Sequence, residues 1–494
     1  MTPTEQLRND AIHIWREGVD AVTPARLFRD KVQLDGTRLV AEGSGPEPTV
    51  IDLASVRRLV VVGAGKAAAA MAIALRQMVL IPLATTLPAL EIEGWINAPE
   101  DAFSLEDATA LGSIHLHAAR PPGINSPTEA AMLGTQRILE LVGNCDQRDC
   151  VICLLSGGGS ALLVAPAPGV TLVDKQAVAR QVAAAGGNIE QLNAVRRPLS
   201  RVKGGGLARA CRAGRLLTLI LSDVLGDALD TIASGPTMVT PPTGKTAAIT
   251  QENASHALSV LDELRLSSSP SLEGVVRVLQ QQTQVPTHST PCQHNPPMRV
   301  DHVILGNNAD AVDAAGVKAV ELGYRYVMQS SRRVEGDVLQ VARSAADAIE
   351  QLASQDQIDC WISGGEPTVT LPPQGAGRGG RNQQLALAVL QEMQLRKPQA
   401  ISSHDVVFLS GGTDGEDGPT DAAGAIVDAN VIARTAELHL DPNDYLERAD
   451  AYSFFEKLTD YCVPILPNQC LRCIRVALCR AKQGSGGSPS EPFA

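Results

Sequence analysis

Lys66 lies inside a glycine turn, Gly63-Ala64-Gly65-Lys66-Ala67-Ala68, directly after the apolar run Leu59–Val62. A lysine held there would reach ligand phosphates or a reacting group. Five further polar loops follow apolar runs: SGGGSA (156–161), SDVLGD (222–227), GNNAD (306–310), SGGEPT (363–368) and SGGTDGEDG (410–418). Glycine at a strand end lets backbone N–H groups approach an anion with no Cβ in the way. In an open parallel sheet, ligands bind beyond the carboxyl ends of the strands. These loops nominate Gly63, Gly65, Ser156, Gly157, Gly158, Gly159, Ser160, Asp223, Asn307, Glu366 and Asp414 as binding residues.

The segment GGNIEQLNAVRRPLSRVKGGGLA (186–208) adds cations. Asn193, Arg196 and Arg197 share one face of a helix by their spacing, and Lys203 precedes three glycines. Cations beside such a loop suit an anionic substrate or a transferring phosphoryl group, with Arg196 near the reacting oxygen. Gly377-Arg378-Gly379-Gly380-Arg381 precedes a further helical stretch. Gly379 and Gly380 would approach the ligand there, and Arg381 would stabilise charge developing on a phosphoryl oxygen. Asp223, Asp227 and Asp414 supply the hard oxygens that magnesium takes.

Other motifs carry less. The first turn also fits a relaxed dinucleotide fingerprint, but only Glu91 and Glu93 stand near the position where that fingerprint needs an acid. Gly244-Lys245-Thr246 lacks the earlier glycine of a phosphate-binding P-loop, since position 239 is Val239. His115 and His117 read as structural. Cys150 and Cys153, three apart in the strand-like run CVICLL, point to opposite faces, and Cys470/Cys473 has no His or second Cys pair at zinc spacing nearby.

Apolar runs alternate with Ala/Leu/Gln-rich helical stretches, the pattern of βαβ units. Helices are expected at 4–22, 128–142, 308–322, 337–353 and 382–395. Strands are expected at Leu59–Val62, Val151–Leu155, Leu216–Leu221, His302–Leu305, Cys360–Ile362 and Val406–Leu409. The fold class is α/β with two domains, each a mostly parallel sheet flanked by helices. The expected boundaries are 1–245 for the first domain, 246–300 for a Pro/Ser/Gln-rich linker in which 271–281 could form a short helix, 301–480 for a smaller second domain and 481–494 for a disordered tail. The 494 residues carry 42 Lys plus Arg against 54 Asp plus Glu, a net charge of −12, which opposes a nucleic-acid or acidic-membrane partner. Aromatics at 3% leave little for base stacking. The N-terminal MTPTEQLRND has no basic-then-apolar pattern, so a cytoplasmic location is expected.

The chain resembles the class II glycerate kinases, the glycerate 2-kinases with a MOFRL-type C-terminal domain. The resemblance rests on VVVGAGKAAAAM, LLSGGGSALL, LNAVRRPLSRVKGGGLA, LILSDVLGDALDTIASGPT, ISGGEPTVTL, GRGGRNQQLAL and LSGGTDGEDGPTDAAGAIVD. It covers roughly 5–465. It implies ATP- and Mg²⁺-dependent phosphorylation of D-glycerate to 2-phosphoglycerate, by a Rossmann-like first domain and a smaller second one with the active site in the cleft between them. It also implies Lys66 and Arg381 as the catalytic pair. A departure follows YSFFEKL, where VPILPNQCLRCIRVAL replaces the family's Gly-Pro-Thr-x-Thr-Asn-Val loop. The residues leave open an NAD(P)H-dependent hydroxypyruvate reductase, or a sugar-phosphate sensor without catalysis. A monomer or homodimer acting on small molecules is expected in each case.

Overall fold

The computed structural model describes residues 1–121, 126–239, 246–284, 298–330, 335–354, 357–372, 375–396, 404–413, 417–459, 461–464 and 473–481. Two compact units result: Pro24–Asn307, and Met1–Thr23 together with Asn308–Ala494.

The unit Pro24–Asn307 is built on six strands: β1 (Arg58–Ala64), β2 (Glu91–Pro99), β3 (Ile114–Arg120), β4 (Asp149–Leu155), β5 (Arg215–Leu221) and β6 (Arg299–Gly306). Their order is β3-β2-β1-β4-β5-β6, and every neighbouring pair is parallel. All seven residues of β4 are buried, as both faces of a doubly covered sheet require. The order reverses between β1 and β4, so the connections leave their carboxyl ends in opposite directions and open a crevice there. The crossover from β1 to β2 is the helical run Ala68–Thr86. By length and composition it could cross a membrane, but here Ala68, Ala69, Met71, Ala72 and Leu75 are buried. A separate antiparallel sheet joins Val32–Asp35, Arg38–Ala41 and Thr49–Asp52.

The expected linker is not one over its described part. Helices Thr246–Glu263 and Glu273–Thr283 lie in this unit. Ala254, Ala257, Leu261, Val275 and Leu279 form one core with Val178, Val182, Val195 and Leu199. The polar composition of the segment masked the apolar stripe that packs it. This helical layer carries the helix Ile189–Arg196. A capping box between Asn188 and Gln191 fixes where that helix starts.

The other unit has β7 (Tyr326–Ser330), β8 (Cys360–Gly365), β9 (His404–Gly412), β10 (Ala422–Asp428), β11 (Cys462–Pro464) and β12 (Cys473–Ala481). Their order is β7-β8-β12-β9-β10-β11. Only β7 and β8 pair in parallel. The sheet is therefore mixed rather than mostly parallel, because β12 inserts antiparallel between β8 and β9, and β10 returns antiparallel to β9. The first helix, Pro3–Ala21, belongs here and not to the unit that follows it in sequence. Its Gly18 lies so close to Ala311 and Ile474 that a Cβ would meet them at 2.6 and 2.8 Å. Its buried Asp10 accepts a hydrogen bond from Tyr324 Oη at 2.6 Å.

Candidate active site

The crevice of the parallel sheet is made by two interlocked loops. Lys66 N donates to Gly157 O at 2.9 Å, and Ala67 N donates to Ser156 Oγ at 3.0 Å. Gly65 has φ +150°, and a Cβ on it would stand 2.1 Å from Ser156 Oγ. Gly65→Ala should therefore push the two loops apart and destabilise the protein by about 2 kcal/mol or more. Thermal unfolding of the purified variant checks this, and an unchanged midpoint would contradict the interlock. Gly63 is held against Leu154 O in the same way. The Lys66 stem passes Gly158, where a Cβ would come within 3.3 Å of Lys66 Cγ. Gly159 abuts Ala233, and the next residue, Ser160, meets Ser234 Oγ to Oγ at 2.9 Å.

Cations collect beside these loops. Lys203 and Lys175 are 3% and 5% exposed, and Arg196 is half-buried. Burial, with Arg196 nearby, pulls the Lys175 pKa down to about 8. Burial, then Arg196, Lys175 and Arg197, hold Lys203 well below the ordinary lysine value. Burial also lowers Arg196. Among the described residues no carboxylate forms a salt bridge with Lys175, Arg196 or Lys203. Arg197 alone reaches one, Asp230, at 3.9 Å. Sequence reasoning missed Lys175, which has no motif around it, and Ser234, which sits inside the IASGPT run. Asn193 is on the same helix as Arg196.

On the carboxyl side of β5, the loop with Asp223 and Asp227 meets the end of β6. Asn307 Nδ2 donates to Asp227 Oδ2 at 2.7 Å, and Asp227 Oδ1 is buried without a hydrogen-bond partner. Asp227 has φ 54°. Asp414 lies outside the described residues. Among the described residues no group of three or more His, Cys, Asp or Glu side chains stands together.

Two minor motifs are structural. Burial raises the thiols of Cys150, to about 12, and of Cys153. His115 stacks on Trp95 at 4.2 Å, and His117 Nε2 is 2.9 Å from Ala130 O. A second strand does follow the first turn, but Asn97 is level with Ala64 on it. Its amide, buried, donates to Leu162 O at 2.8 Å. An amide spent on packing offers no acid to a ribose, which removes the support for a nicotinamide site.

The other unit presents a second constellation. Arg381 opens the helix Arg381–Arg396 and forms an ion pair with Glu366, just beyond β8. Gly379, Gly380 and Arg381 line a depression of about 350 Å³ with Thr368 and Val369. The helix N-terminus itself is taken: Asp417 accepts from Asn382 N at 2.9 Å and Gln383 N at 2.7 Å. Gly380 allows this, since a Cβ would sit 2.4 Å from the Asp417 carboxylate. Burial pushes Asp417 up to about 7 from 3.8, against those N–H donors and Arg381, which pull it down. The folded chain then binds more protons than the unfolded chain between about pH 4 and 7, so stability falls as pH rises through that window. Chemical unfolding at pH 5 and pH 7.5 should show the lower midpoint at pH 7.5. The difference should shrink in Asp417→Asn.

A doubly wound parallel sheet with glycine loops and buried basic side chains at its crevice, in a chain that also holds a second α/β unit with an ion-paired arginine, defines a phosphoryl-handling α/β enzyme class. Residues 10–269 match the family described as a domain of unknown function, DUF4147, and residues 359–467 match the MOFRL family. The chain is 33% identical to rat glycerate kinase, over 92% of this chain and 89% of that protein. It is 31% identical to the D-glycerate 2-kinase of Thermotoga maritima, over 92% and 94% of the two chains. A crystal structure of Thermotoga maritima glycerate kinase superposes with a TM-score of 0.70 at 29% identity, covering 96% of this chain and 99% of that one. The chain belongs to this DUF4147–MOFRL family of glycerate kinases.

Proposed function

We propose that the chain transfers the γ-phosphoryl group of ATP to the 2-hydroxyl of D-glycerate. The observation that carries this reading is the gathering of the basic side chains of Lys175, Arg196 and Lys203, desolvated and without a carboxylate partner among the described residues, beside the loops that hold Lys66. Like charges are costly to bury together unless an anion completes them. A carboxylate and a transferring phosphoryl group supply that anion.

In this reading Arg196 receives the glycerate carboxylate or the phosphoryl oxygens, with Asn193 on the same helix and Lys203 behind Ser160. Lys66 neutralises charge as it develops on the transferring group. The loop Ser156–Ser160 shapes the crevice around it. Arg381, steadied by Glu366, is the second stabilising cation, and Gly379 and Gly380 line its approach. Magnesium entering with ATP would neutralise phosphate charge. Asp227, with its unpartnered oxygen, and Asp223 on the same loop are the residues to hold it. One or two carboxylates with phosphate oxygens and water suit this ion, which does not need a full protein cage.

A coupled assay tests the function. ADP should form only with D-glycerate, ATP and magnesium together, and the product should be the 2-phosphate by mass spectrometry with a 3-phosphate standard. Full activity after exhaustive chelation would remove the metal from the reading. Oxidation of NADH with hydroxypyruvate, without ADP formation, would replace the kinase by a reductase.

A further inference from the structure

Lys203 makes contacts that holding an anion does not require. Its Nζ lies 2.8 Å from Ser234 Oγ and 3.1 Å from Ser160 Oγ, and the two hydroxyls are 2.9 Å apart. The three polar atoms close a triangle. Lys203 and Ser234 are buried, whereas Ser160 is half-buried and forms the open corner. That corner is two residues beyond Gly158, where the Lys66 stem passes.

The backbone under Ser234 is strained. Ala233, Ser234 and Gly235 have φ of 49°, 65° and 60°, and two of the three carry side chains. Such a turn persists only where its surroundings hold it. Here Gly204 N donates to Ser234 O at 2.9 Å and Gly205 N donates to Gly235 O at 2.7 Å. The glycines after Lys203 thus clamp Ser234 against the lysine of their own loop. Among the described residues, Arg196, Lys175 and Arg197 are the charges that act on Nζ, and Asp230 is paired to Arg197. Burial and these cations loosen the hold of Nζ on its proton; the deprotonated amine has a lone pair to accept one, an ammonium has none.

We propose that Ser160, Ser234 and Lys203 form a proton relay that takes the proton of the acceptor hydroxyl during phosphoryl transfer. The relay rests on the kinase reading above. The acceptor oxygen bonds to the γ-phosphorus as the bond from that phosphorus to the bridging oxygen breaks, and ADP leaves with the electron pair. The acceptor's proton passes to Ser160 Oγ, and the proton of Ser160 passes to neutral Lys203 Nζ, directly or through Ser234. Lys203 ends as an ammonium and returns its proton to solvent when the products leave. Ser160 is the catalytic residue of the three; Ser234 and Lys203 act through it.

The test is the pH profile of kcat for the full chain at saturating D-glycerate and ATP, in wild type, Ser160→Ala and Lys203→Arg. Lys203→Arg keeps hydrogen-bond donors at the position but is permanently protonated and cannot accept a proton. Wild-type kcat should fall as pH is lowered, with a single protonation. Ser160→Ala should lower kcat by about 10²-fold, the lower end for proton-transfer catalysis, with KM for glycerate changed less than about threefold and the acidic fall abolished. Lys203→Arg should behave alike. A Lys203→Arg enzyme that is folded by circular dichroism and within threefold of wild-type kcat overturns the relay, as does an acidic fall that survives in Ser160→Ala. The kinase reading stands in both cases, because wild type still turns over. Wild type without glycerate-dependent ADP formation removes both proposals. Should Lys203→Arg not fold, the Ser160→Ala profile decides alone.

Discussion

Lys66→Ala is expected to lower kcat by about 10²-fold or more, the loss typical of removing one preorganised charge from a site. The lysine is fixed from both ends of its turn. Its own N–H is bound by Gly157 O, the next N–H is bound by Ser156 Oγ, and its stem is guided past Gly158. A cation held this way needs little reorganisation when charge develops beside it, so its contribution falls on the transition state more than on the ground state. The signature is a fall in kcat with a smaller change in KM. The side chain is half-buried on a loop whose hydrogen bonds are made by the backbone, so thermal unfolding should move little. Steady-state kinetics on the folded variant decides it. A change below about threefold would return Lys66 to the role of a solvated loop lysine.

Arg381→Ala should cost about as much or more, on the order of 10²–10³-fold in kcat, in line with arginines that stabilise phosphoryl transfer. Two effects add. The guanidinium is lost, and the Glu366 carboxylate loses that ion pair beside the depression. That carboxylate would repel a phosphoryl group. Arg381→Lys should recover little, because a point charge cannot match the planar fork of donors. The double variant Arg381→Ala/Glu366→Gln should recover part of the loss by removing the repulsion. Kinetics on the three variants separates the terms. A double variant as poor as Arg381→Ala alone would show that Glu366 only positions the arginine. Retention of kcat within threefold in Arg381→Ala would take the residue out of the chemistry.

Much of this architecture is legible in the residues. All six expected strands fall inside observed ones, because a run such as CVICLL buried on both faces has a single plausible place in a doubly covered sheet. The helices at 129–143, 308–321, 338–354 and 381–396 lie within a residue or so of expectation. Their apolar spacing carries the period. Strands β2 and β3 escape notice because EIEGWINAP and IHLHAAR mix polar with apolar residues toward the side of the sheet. β10 is hidden by its small residues, Ala422–Asp428.

The sequence by itself determined which residues stand at strand ends: Lys66, the loop 156–160, Asp227, Asn307 and Glu366 all follow from where apolar runs stop and glycines begin. That information is local, written in hydrophobic period and turn chemistry. Only the tertiary structure decided the rest. It placed the first helix with the second unit, since an amphipathic stripe shows that a helix packs but not against what. It made helices of the expected linker, whose apolar faces find partners about 80 residues earlier in the chain. It turned the last strand antiparallel into the middle of a sheet. It spent Asp417 on capping a helix 35 residues away, and it brought Ser160, Lys203 and Ser234 into one triangle from three separate segments. These pairings depend on distances through space between segments far apart in the chain. No spacing rule along the chain encodes them; close packing of the whole does.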